Sequence, residues 1–122
     1  MQDVLGCLRE LIAIPSVTPP GREDLIEPLL LDWLKTMGAH IQLQAVEPKR
    51  NKIIACWQYS QPGTTLLLNT HMDVHNPEGQ HWWREPFTPV QEGNRRYGRG
   101  AADAKGSLAA MLMAVKGLIN NA

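Results

Sequence analysis

Two short stretches bring together side chains that could do chemistry. The first is His71-Met72-Asp73. In an extended segment residues i and i+2 point to the same side, so this imidazole and carboxylate can touch. A carboxylate beside an imidazole fixes its tautomer and raises its basicity, the usual support of a metal-bound histidine. A surface His–Asp pair at the start of a loop would read the same way. The second stretch is Tyr97-Gly98-Arg99-Gly100-Ala101-Ala102-Asp103-Ala104-Lys105-Gly106, in which glycines and alanines surround one carboxylate. Small residues let the backbone approach another group closely, and helix N-termini favour negative groups, which makes Asp103 a candidate ligand. Asp103 would serve equally well as a simple N-cap.

These residues need elements to position them. Leu66-Leu67-Leu68 is a short continuous apolar run, and it predicts a strand over 64–70 covered on both faces. Such a strand would deliver His71 and Asp73 at its C-terminal end, where α/β sheets place their sites. Leu108, Met111, Leu112, Val115, Leu118 and Ile119 predict a helix from about Lys105, so Asp103 would lie just ahead of it. Earlier in the chain, Val4, Leu5, Leu8, Leu11 and Ile12 predict a helix over 3–14, stopped by Pro15. A second helix is expected over 22–37, with Gly38 as its C-terminal stop. Alternation over 40–46 predicts a strand with one wet face, and 52–59 a second strand. Residues 74–89 read as a long shaped loop, and 90–97 as a small hairpin around Glu92-Gly93-Asn94. Helix, helix, strand, strand, strand, helix indicates an α/β class.

Taken together, these segments resemble the M20 family of zinc peptidases and deacylases, the group that includes acetylornithine deacetylase, succinyl-diaminopimelate desuccinylase, aminoacylase and carboxypeptidase G2. The resemblance rests on the run from Leu66 through His71-Met72-Asp73-Val74, on Trp83-Arg84-Glu85-Pro86-Phe87, and on Tyr97 to Gly106. Leu11-Ile12-Ala13-Ile14-Pro15-Ser16-Val17-Thr18 resembles the family's opening helix and loop. The resemblance implies a partial three-layer zinc-peptidase-like catalytic domain, helices packed on a mixed sheet, truncated. Residues 1–122 would be the N-terminal part of the metal-binding catalytic domain, with the lid and dimerisation domain absent. It implies His71 and Asp103 as metal ligands, Asp103 bridging two ions, and Asp73 as a member of the catalytic set that orients the histidine ring. It also implies a cis peptide bond between Asp103 and Ala104. The cofactor implied is zinc, two ions per complete site, with cobalt as a substitute. The reaction implied is attack of a metal-activated water on the amide bond of an N-acyl amino acid or short peptide. The family's Glu-Glu pair, which includes the general base, and its further ligands have no counterpart in this chain, so the chain alone is expected to be inactive. The full-length form is expected to pair as a homodimer. His75 departs from the family pattern after Asp73, as does Ala104 where methionine is common. His75 reads as a solvated loop histidine or as an added metal or substrate contact.

Composition narrows the alternatives. Lysine plus arginine balances aspartate plus glutamate at 12 each, so no basic field exists to attract nucleic acid or anionic lipid. Neither nucleic acid nor membrane is expected as a partner. Hydrophobic residues at 43% and charged residues at 20% suit a single globular domain. Cys7 and Cys56 lack CxxC spacing and read as buried free thiols of a reducing compartment, and a cytoplasmic location is the default. His40 and His81 read as surface groups, and Trp82 and Trp83 as loop packing rather than cleft lining. A second functional class stays open: a non-catalytic, stand-alone domain that binds metal or a partner through its unfinished sheet edge.

Overall fold

The computed structural model describes residues 3–59 and 61–121. Helix α1 spans Val4–Ile12. Asp3 caps it, its carboxylate accepting from the Gly6 amide at 2.6 Å, an interaction worth about 1 kcal/mol. The helix ends two residues before the expected Ile14, because the residue ahead of Pro15 is steered out of helical conformation. Strand β1 follows at Val17–Thr18. The second expected helix divides in two. A 3₁₀ turn covers Glu23–Leu25 and helix α2 covers Glu27–Thr36. Pro28 sits in the first turn of α2, where its missing N–H costs nothing and its fixed φ suits a helix start. Gly38 follows α2 with a φ of 73°, the left-handed stop its position suggests.

Strands β2 (His40–Glu47) and β3 (Arg50–Cys56) form an antiparallel ribbon. Ile41, Ile53 and Ala55 face the helices, and the opposite face of the ribbon meets solvent. Cys56, expected to be buried, therefore points outward, since alternation that brings Ala55 in must send Cys56 out. Cys7 is buried in α1 as expected. Strand β4 is only Val74–His75 and pairs parallel with β1. Strands β5 (Val90–Glu92) and β6 (Arg95–Tyr97) make the expected hairpin. A tight turn over Ala101–Lys105 then leads into helix α3, Gly106–Asn120.

The core lies where the three helices meet. Cys7 and Leu11 of α1, Ile26, Leu30, Trp33 and Leu34 around α2, and Leu108, Ala109 and Leu112 of α3 form one buried cluster. Burying a side chain such as Leu11 contributes about 1.5–3 kcal/mol. The chain is α/β with helices against small sheets, as its residues suggest, but the sheet differs from expectation. Residues 64–70 form no strand, and Leu67 is 83% exposed. The apolar run asks for cover on both faces, and among the described residues no neighbouring strand provides it. Among the described residues the sheet content is three separate strand pairs. Among the described residues, no helix is long and apolar enough to cross a membrane.

Candidate metal centre

His71 and Asp73 are carried by the irregular segment that enters β4, and Asp103 by the turn ahead of α3. Thirty-two positions separate His71 from Asp103 in sequence, yet His71 Nε2 lies 2.9 Å from Asp103 Oδ1. On the other side of the ring, Nδ1 lies 3.1 Å from both the backbone oxygen and Oδ1 of Asp73. The imidazole is therefore held edge to edge between two carboxylates. Burial by itself would lower the His71 pKa. The hydrogen bond to Asp103 and the contacts with Asp73 outweigh it, and the net shift is upward. The protonated ring can donate from both nitrogens. Once deprotonated at Nε2, it presents that lone pair toward Asp103 while Asp73 keeps the proton on Nδ1.

The donor chemistry, an imidazole nitrogen beside a carboxylate oxygen, fits a divalent ion of the zinc type. One ion bonded to both at about 2.0–2.2 Å would set them roughly 3 Å apart, close to the separation observed. Asp103 is 89% exposed, so its second oxygen is open to a further cation. The pair does not complete a coordination shell. Among the described residues, no group of three or more His, Cys, Asp or Glu side chains is arranged to hold a metal ion. His75 is exposed on β4 and contributes no such group, and His40 and His81 are exposed elsewhere.

Local sequence explains why the two arms meet. Asp103-Ala104 is a cis peptide bond, as the resemblance implied. Gly100, at φ 86°, lies where a Cβ would come within 2.5 Å of Val74 Cγ1 and 3.1 Å of Lys105 Cδ. Only a residue without a side chain lets the β4 arm and the Asp103 turn touch there. Gly106 is crowded in the same way, since a Cβ would stand 2.5 Å from the Ala101 carbonyl oxygen.

Two residues that frame the site were not singled out from sequence. Ser16 is fully buried. Its hydroxyl donates to the Met72 carbonyl at 2.7 Å, and its own carbonyl accepts from the Val74 amide at 2.9 Å. Lys105 is also fully buried, and its ammonium donates to the Leu11 and Ile14 carbonyls at 2.7 and 2.6 Å. These carbonyls stand at and just past the C-terminal end of α1, where cations are favoured, and each also accepts a backbone amide, from Ile14 and Ser16 respectively. Burial lowers the Lys105 pKa to about 8. Lys105 stood in the glycine-rich motif, but nothing local marks a lysine beside a helix start as buried.

The tryptophan loop packs beside the site. Trp82 is half-buried under the Arg99 guanidinium, 4.9 Å from its ring centroid, and Arg99 also bonds Gln80. Trp83 is exposed and meets Tyr97 edge to face at 5.6 Å. These contacts are those of a loop holding its own shape.

Residues 67–122, which include His71, Asp73 and Asp103, match the family model for Peptidase family M20/M25/M40. The chain is similar to an M20 family metallo-carboxypeptidase from Sulfolobus solfataricus, with 29% identity over 99% of this chain and a TM-score of 0.80. It is also similar to human carnosine dipeptidase 1, with 25% identity over 96% of this chain and a TM-score of 0.75. The chain spans 28% of the length of each of those structures.

Proposed function

Since the chain belongs to peptidase family M20/M25/M40, we propose that it is the N-terminal part of the catalytic domain of a metal-dependent hydrolase that cleaves amide bonds in short peptides or N-acyl amino acids. The observation that carries this reading is the 2.9 Å approach of His71 Nε2 to Asp103 Oδ1, with Asp73 engaging Nδ1 behind the ring. In this reading His71 and Asp103 would hold divalent metal, zinc by preference. When bound, such ions acidify a water and polarise the scissile carbonyl. Asp73 keeps the proton on Nδ1 and so leaves Nε2 free to donate its lone pair. The open face of Asp103 leaves room for substrate on the solvent side.

A zinc site takes three or four protein ligands, and among the described residues His71 and Asp103 are the two in range. The 122-residue polypeptide alone is therefore expected to hold zinc weakly and to turn over no substrate. The remaining ligands, the general base, and the lid and dimerisation domain of a homodimer would come from elsewhere in the protein. The test is hydrolysis of dipeptides and N-acetyl amino acids with added zinc, by the 122-residue chain and by the longest polypeptide its reading frame encodes. Zinc-dependent turnover by the longer form, reduced more than about 100-fold by His71→Ala, is the expected result. Turnover by the 122-residue chain alone, or turnover indifferent to His71→Ala, contradicts it. Zinc binding without any turnover in the longer form would favour a non-catalytic metal-binding domain.

A further inference from the structure

One stretch of chain, residues 11–18, lies behind both arms of the metal pair. From it the Ser16 hydroxyl reaches the carbonyl of Met72, the residue between His71 and Asp73, while the Ser16 carbonyl takes the Val74 amide. From the same stretch the Leu11 and Ile14 carbonyls take the ammonium of Lys105, two residues beyond Asp103. Both Ser16 and Lys105 are fully buried. The two arms then touch each other at Gly100, against Val74 and Lys105. Each arm thus has a directed polar anchor in a common frame, and the frame precedes the segment that matches the family model.

We propose that Ser16 and Lys105 are positioning residues that set the His71–Asp103 separation across which a divalent cation is shared. Neither touches the pair. Ser16 fixes the carbonyl between His71 and Asp73, and so the direction in which the imidazole leaves the backbone. Lys105 holds the turn that carries Asp103 against the end of α1. Ligand constellations tolerate errors of only about 0.5 Å before they lose function. A hydroxyl and an ammonium aimed at named carbonyls restrict such drift more than apolar packing does, because hydrogen bonds are directional. This inference rests on the metal-site reading above.

The experiment is a Zn2+ titration of the 122-residue chain, followed by the NMR signals of the His71 ring, with thermal melting measured in parallel. Ser16→Ala and Lys105→Met should each weaken Zn2+ binding roughly 10- to 100-fold, the range for removing a ligand's supporting contact. Lys105→Arg should recover part of the loss. Ile26→Val, in the core away from the site, controls for stability: it should lower the melting temperature and leave Zn2+ affinity unchanged. His71→Asn should abolish binding. Parent-like affinity in Ser16→Ala and Lys105→Met, with binding lost in His71→Asn, overturns the positioning role and leaves the metal site standing. An equal loss of affinity in Ile26→Val reduces the effect to stability and also overturns it. Parent-like binding in His71→Asn removes the metal-site reading and this inference with it. If Lys105→Met does not fold, Ser16→Ala decides.

Discussion

His71 lies between two carboxylates with different tasks: Asp73 holds its inner nitrogen, and Asp103 faces the outer one. Around them the residue types are set by space. Gly100 combines a φ of 86° with a Cβ position 2.5 Å from Val74, so Gly100→Ala should cost more than about 1 kcal/mol. Gly117, near the end of α3, has nothing within 4 Å of its Cβ position, and Gly117→Ala should instead stabilise by about 0.5–1 kcal/mol. Urea unfolding of the two variants checks the opposite signs. The thiols separate equally clearly. Burial, then the charge of Glu10, raise the Cys7 pKa from 9.0 to about 11, whereas Cys56 is exposed. A disulfide reagent at pH 8 should therefore label one thiol in the native chain and two after denaturation. As pH rises from 9 toward 11 the unfolded thiol loses its proton first, so the unfolded state binds fewer protons and stability falls. Wild type should lose more stability over that window than Cys7→Ala does, as denaturant titrations at the two pH values would show.

At the scale of elements, what was legible was whatever depends on near neighbours. The i, i+2 relation of His71 and Asp73, the helical spacing from Val4 and from Leu108, and the Gly93-Asn94 hairpin are local patterns, and they stand as their residues suggest. The placement of Lys105 was not legible, because its partners Leu11 and Ile14 lie 94 and 91 positions away and no periodicity encodes them. The strand over 64–70 fails for a related reason. An apolar run states that cover is needed and says nothing of what supplies it, and here Leu66 and Leu67 are exposed. Pairs of buried and exposed leucines test this directly. Leu11→Ala, at 0% exposure, should destabilise by about 2–5 kcal/mol, and Leu67→Ala by no more than about 0.5 kcal/mol. Equal losses on denaturation would mean that the 64–70 segment is packed in solution after all.

At the scale of the whole molecule, the helices and strand pairs of the described residues hold the His71 imidazole and the Asp103 carboxylate together on an open face. The chain spans 28% of the length of the two peptidase structures it resembles, and its described residues bring two donors together where a zinc ion takes three or four. The account's central claim is that those two donors share a metal. The direct measurement is anomalous diffraction at the zinc edge from crystals of the chain grown with Zn2+. The account predicts a peak within about 2.0–2.2 Å of both His71 Nε2 and an Asp103 carboxylate oxygen. An intact His71–Asp103 pair without zinc between them, while zinc binds elsewhere on the chain, would contradict it.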